Sequence, residues 1–186
     1  MYIERALEPL VRRYSENFKI VAVTGPRQVG KTTMLKHLME EEAESGVDRV
    51  YVTLDNTAIL QTAKEDPALF LQRYRPPVLI DEIQKAPELL PYIKMIVDER
   101  DDCGSVWITG SQPLHLMKAV SESLAGRVGI VEMLGLSHSE VAGTPSEPYL
   151  PSADYFMRRV DMRRRHILNN VATSLASGGI LYGCRR

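Results

Sequence analysis

A chain of 186 residues is long enough for one full domain with a buried core. Apolar residues at 44% and charged residues at 25% are ordinary for a globular protein, and no uncharged apolar run approaches the roughly 18 residues of a membrane-spanning helix. The net charge of -1 conceals an asymmetry: residues 1–150 carry 16 Lys and Arg against 22 Asp and Glu, and residues 151–186 carry 7 against 2. A polyanion bound by the acidic body must therefore be met by a local, directed site, not by the overall field.

The N-terminal stretch MYIERALEPLVRRYSENF carries charges throughout and lacks the apolar centre of a signal peptide. Cys103 and Cys184 lie far apart and form no CxxC pair, which suits two free thiols in a reducing cytoplasm. Ile3, Leu7, Leu10 and Val11 recur at helical spacing, which predicts an amphipathic helix over residues 3–16. Residues 18–24 (FKIVAVT) are too short and too β-branched for a helix. They read as a strand apolar on both faces, the kind found inside a parallel sheet.

A helix follows over residues 32–44, with Gly46 as its stop. The second strand is expected at residues 49–54 (RVYVTL). Short helical pieces come next, divided by Asp66-Pro67, and Pro76-Pro77 launches a third strand at residues 78–80. Residues 88–100 place Leu89, Ile93, Ile96 and Val97 on one helical face. Residues 105–109 (SVWIT) and 128–133 (VGIVEM) complete five strands, with a helical segment around residues 115–120. This alternation argues for an open α/β parallel sheet with helices on both faces. Such sheets bind ligands at the carboxyl ends of their strands, and residues 25–33, Asp55, Asp81, Glu82 and residues 109–112 all fall there.

Gly25, Pro26, Arg27, Gln28, Val29, Gly30, Lys31 and Thr32 match G-x-x-x-x-G-K-[ST], the phosphate-binding P-loop. Its glycines permit a backbone in which successive N–H groups point inward as an anion nest. The helix that follows aims its N-terminal dipole at the same spot. Lys31 would neutralise phosphate oxygens, Thr32 would ligate Mg²⁺ through its hydroxyl, and Thr33 is placed to bond the α-phosphate. Asp81 and Glu82 end the third strand. They are either solvated acids at a strand tip or the second half of the site, in which Asp81 holds the metal and Glu82 polarises a water.

A kinase needs no water-activating Glu beside its metal Asp, and no N/T-K-x-D segment marks a Ras-type GTPase, so ATP hydrolysis is favoured. At the tip of the fourth strand Thr109, Ser111 and Gln112 are each placed to touch a γ-phosphate or the attacking water. Gln112 joins Glu82, Lys31 and Arg127 in the candidate catalytic set. Arg127 is either an arginine finger for a neighbouring subunit or a surface arginine that starts a strand, and Arg27 is either a sensor or simply exposed. The four histidines have no ligand-like spacing. The segment RRVDMRRRH (158–166) lacks the aromatic interleaving of a nucleic-acid surface and reads more readily as a solvated basic helix.

With these residues assembled, the chain resembles the ATPase domain of a family of prokaryotic AAA-like P-loop proteins. The matching segments are VTGPRQVGKTT, YVTLDNTAILQTAKEDPALFL, VLIDEIQKAPELL, WITGSQ and SESLAGRVGIVEMLGLSHSE. The resemblance implies an additional-strand sheet of five parallel strands, ATP and Mg²⁺ as ligands, a place beside the site for Asp55, and ring assembly that would give Arg127 a partner. It also implies a long C-terminal domain whose pattern residues 151–186 do not clearly continue. The expected organisation is an ATPase domain over 1–142, a Pro/Ser linker over 143–152, and a basic helical tail or truncated domain start over 153–186. The competing functions are a nucleotide-binding module without turnover and, further off, a kinase. The client, whether protein or DNA, is not named by any segment.

Overall fold

The structure is a computed structural model that describes residues 2–111 and 123–143. Five parallel strands, β1 (Ile20–Thr24), β2 (Val50–Thr53), β3 (Val78–Asp81), β4 (Val106–Gly110) and β5 (Val128–Glu132), form one sheet in the order β2-β3-β4-β1-β5. β4 is thus inserted between β1 and β3, the additional-strand arrangement expected from the sequence. Among the described residues the α-helices are α1 (Glu8–Asn17), α2 (Lys31–Glu44), α3 (Thr57–Glu65), α4 (Pro67–Arg73), α5 (Leu89–Asp98) and a single turn, α6 (His138–Val141).

Successive side chains on a strand face opposite sides, and here both sides are apolar. Ile20, Ala22, Val52, Val78, Ile80, Val106 and Ile108 share a core with Phe70, Leu71, Leu89 and Ile93 of α4 and α5. The intervening residues Val21, Val23, Leu79, Trp107 and Val131 pack with Val11 of α1 and with Met34, Leu35 and Leu38 of α2. The continuous apolar runs VAV, VLI and VWI are therefore a consequence of burial on two faces. One chemical result matters later. Asp81 falls in the same alternation as Leu79, so its carboxylate emerges on the side where α2 packs.

The lead-in differs from expectation. The helix predicted over residues 3–16 begins only at Glu8. Pro9 has no N–H and suits a first helical turn, and the Glu8 carboxylate accepts hydrogen bonds from the Arg5 amide and the Tyr2 hydroxyl, both at 2.7 Å. Residues before Glu8 are left to run along the domain in non-helical form. Asp66, expected as a break, ends α3 and caps α4 through its bond from the Leu69 amide at 2.9 Å. The helical segment expected around residues 115–120, the linker from residue 144 onward, the tail 153–186 and Cys184 lie outside the described residues. Among the described residues no helix is long and apolar enough to cross a membrane.

Ile80 is fully buried between β2 and β4, one residue before Asp81. Ile80→Ala is expected to lower the unfolding free energy by about 2–5 kcal/mol, read as a reduced urea midpoint with an unchanged slope.

Candidate functional site

The loop between β1 and α2 is shaped by its backbone. Gly25 has φ 140°, and a Cβ there would lie 2.0 Å from the Met133 carbonyl oxygen, so no other residue fits. Gln28 (φ 62°) and Gly30 (φ 93°) both adopt left-handed conformations, the alternation that turns neighbouring amides into an anion nest. Gly30 caps α2 without any side chain, so the first N–H groups of a 14-residue helix face the loop. Lys31 is only 6% exposed, and its ammonium donates to the Gly25 carbonyl at 2.9 Å and to the Pro26 carbonyl. Burial pushes the Lys31 pKa down, and the charges of Glu82 and Asp81 push back against that.

The tip of β3 supplies the acidic half. Asp81 Oδ1 accepts from the Thr32 hydroxyl at 3.0 Å, and its Oδ2 accepts from the Tyr51 hydroxyl at 3.2 Å. Burial raises the Asp81 pKa; these two hydrogen bonds oppose the rise, while the Glu82 and Asp55 carboxylates add to it. The Tyr51 hydroxyl is pushed up to about 12 by its own burial and by the adjacent Asp81. Glu82 is itself in a left-handed conformation (φ 60°), where the chain leaves the strand sharply. Its Oε2 accepts from Gln84 Nε2 and from the Ser111 hydroxyl, the latter at 3.2 Å. Lys85 pairs with Asp55. A cleft of about 460 Å³ opens over this group, lined by residues of the loop together with Asp55, Glu82 and Lys85.

Three buried side-chain atoms among the described residues have no hydrogen-bond partner: Thr24 Oγ1, Thr109 Oγ1 and Gln84 Oε1. Thr24 and Thr109 lie at the carboxyl ends of the central strands β1 and β4, and Gln84 lies in the turn that follows β3. Buried polar atoms ordinarily find partners, so this end of the sheet is suited to additional polar atoms.

The structure therefore brings together Lys31, Thr32, Asp81, Glu82, Asp55 and Ser111 at one end of the sheet. Thr109 lies beneath them, wholly buried. Arg27 is exposed at the cleft's edge, and Gln112 lies outside the described residues. Arg127 is not brought to this group. It precedes β5 at the amino end of the sheet, and its guanidinium forms a two-armed pair with Asp98 of α5.

Sequence reasoning missed Tyr51, Gln84, Lys85, Arg5 and Glu140. Tyr51 had a signal, because strand alternation in VYVT aims it to the same side as Asp81 on the neighbouring strand. Arg5 had none. Its guanidinium bonds the Val29 carbonyl inside the loop at 2.8 Å, the Leu134 carbonyl after β5 at 2.9 Å, and Glu140 of α6 at 3.0 Å.

The family profile for the AAA domain matches residues 17–142. This chain belongs to the AAA domain family. The match spans β1 to α6 and so includes every residue that lines the cleft. Uncharacterized proteins of Mycobacterium tuberculosis and Mycobacterium bovis are each 33% identical to this AAA domain over 137 residues. Those residues are 74% of this chain and 30% of either relative, so the chain spans under a third of the length of these curated proteins. Among solved structures, AMPPCP-bound DnaA from Aquifex aeolicus superposes with a TM-score of 0.52 at 16% identity, covering 72% of this chain and 48% of that one. The DnaC helicase loader gives 0.49 at 15% identity, covering 72% and 94%. At 16% identity the likeness to DnaA is one of fold alone.

Glu140 provides a test of how firmly α6 is tied to the lead-in segment. Burial alone would raise its pKa, but hydrogen bonds from the Ser137 and Ala6 amides and from Arg5 outweigh it and bring the value to about 2. A carboxylate with a depressed folded pKa contributes stability that is complete above its unfolded value of about 4.3 and is lost as pH falls toward the folded value. The wild-type protein is expected to lose stability between about pH 4.5 and pH 2 more steeply than Glu140→Gln, measured by denaturant midpoints across that range.

Proposed function

We propose that this AAA domain binds ATP with Mg²⁺ and hydrolyses it, serving as a switch or motor module. The observation that carries the reading is the 3.0 Å contact between Thr32 Oγ1 and Asp81 Oδ1. Two neighbouring ligands of an octahedral magnesium at ~2.1 Å lie about 3 Å apart, so this pair of hard oxygen donors fits that ion, directly or through its waters. The unpartnered Thr24 and Thr109 hydroxyls, which can donate, and the uncapped first turn of α2 support an anion at this end of the sheet. AMPPCP-bound DnaA, which has the same fold, is a further support for a nucleotide there.

In this reading the amides of residues 27–31 and the Lys31 ammonium hold the phosphates, and Thr32 and Asp81 hold Mg²⁺. Bound Mg²⁺ would neutralise charge on the phosphate oxygens as the terminal P–O bond breaks. Glu82 accepts a proton from a water aligned with that bond, so that oxygen attacks phosphorus and ADP leaves with the bond's electron pair. Lys31 arrives pre-positioned but under-neutralised, and an incoming anion restores its ordinary tendency to hold a proton. Arg127 would serve a neighbouring copy in a homo-oligomer after leaving Asp98.

One observation favours the second reading, a binding module without turnover: Glu82 Oε2 is already engaged by Gln84 and Ser111. Magnesium-dependent ATP turnover across a protein concentration series separates the two. Hydrolysis predicts that Glu82→Gln retains ATP but loses at least about 100-fold in kcat, and that Lys31→Ala loses binding. An arginine supplied in trans predicts turnover per molecule that rises with concentration and falls in Arg127→Ala. Tight ATP binding without turnover at any concentration would establish the binding module instead.

A further inference from the structure

Arg5 is a buried cation, 6% exposed, in the non-helical lead-in before α1. Each arm of its guanidinium ends on a different element: Nη1 on the Val29 carbonyl, Nη2 on the Leu134 carbonyl, Nε on Glu140 Oε1. Glu140 is oriented in turn by the Ala6 amide at 2.8 Å and the Ser137 amide at 2.6 Å. We propose that Arg5 is a positioning residue of the phosphate loop, fixing the peptide between Val29 and Gly30 so that its amide serves the nest. This rests on the nucleotide-binding reading above.

The argument is one of peptide geometry. In a planar trans peptide the carbonyl and the following N–H point in opposite directions. Anchoring the Val29 carbonyl on Arg5 aims the Gly30 N–H the other way, and Gly30 lines the cleft. Gly30 has φ 93° and no Cβ, so this peptide can rotate with little steric resistance. Rotation would swing a carbonyl oxygen, not an amide, toward the phosphates. A charge-assisted hydrogen bond from a buried guanidinium opposes that rotation, and Arg5 is the side chain nearest to the Gly30 Cα face, its Nη1 lying 3.6 Å from where a Cβ would stand. The same guanidinium clasps Leu134 and Glu140, so the loop and the segment following β5 are held by one group. By linkage, whatever loosens that segment weakens the phosphate site, and an anion in the site tightens the segment.

The test uses amide exchange of the loop in nucleotide-free protein, followed by titration with ATP and Mg²⁺, at a temperature where circular dichroism reports an intact fold. In Arg5→Ala, exchange across residues 25–33 is expected to accelerate relative to α5. Affinity is expected to fall about tenfold or more, the scale of a lost charged hydrogen bond. Arg5→Lys, which keeps the charge but lacks the planar fork that reaches three partners at once, should fall between. Should Arg5→Ala not fold, Arg5→Lys and Glu140→Gln carry the test, with faster loop exchange and severalfold weaker binding expected in both. Folded Arg5 variants with wild-type loop exchange and wild-type affinity would overturn the proposal, even if their melting temperature falls. If the wild-type protein binds no ATP, the nucleotide reading fails, while the exchange comparison still decides whether Arg5 holds the loop.

Discussion

The site depends on keeping an ammonium inside the protein. Lys31 is almost wholly enclosed, and a buried cation is tolerated only where oxygens surround it. The loop meets that demand by turning the Gly25 and Pro26 carbonyls onto the ammonium, and β3 by ending on two carboxylates. What results is a cation pre-positioned among dipoles, with a nest of amides beside it. The positive charge is fixed in place before any ligand arrives, so little reorganisation is left for the moment of binding.

The sheet order makes this arrangement reachable. With β4 between β1 and β3, the loop after β1 and the acids after β3 are separated by one strand's width at the same end of the sheet. Strand alternation then decides the direction of each group. Asp81 shares a side with Leu79 and so faces α2, whose first turn carries Thr32. Tyr51, one strand further out, reaches the same carboxylate from the opposite flank. The two apolar layers hold these strands in register, which is how hydrophobic burial far from the cleft sets a polar contact of 3.0 Å within it.

Much of this was legible in the sequence because it is local. An apolar run of five residues, a glycine at each end of the loop and an acidic strand tip are read from adjacent positions, whereas the inserted strand is an implication of the family resemblance. The lead-in misled because Ile3, Leu7, Leu10 and Val11 do recur at helical spacing. Periodicity does not register that Pro9 favours a fresh helix start or that the Glu8 carboxylate ties back to Arg5. Arg5 and Glu140 are 135 positions apart, and each looks like a surface charge until the fold joins them. Gln84 reads as an incidental polar residue two places after Glu82, and only the arrival of Ser111 from β4 makes it part of a network.

The account stands on Thr32 and Asp81 forming, with the loop, a site for a magnesium nucleotide. Its most direct test is calorimetric titration of ATP with and without Mg²⁺ into the wild-type domain and into Thr32→Val. The account predicts that magnesium strengthens binding in the wild type, and that this strengthening disappears in the variant while magnesium-free binding persists. Equal affinities with and without magnesium in the wild type, or a magnesium effect that survives intact in Thr32→Val, would contradict it.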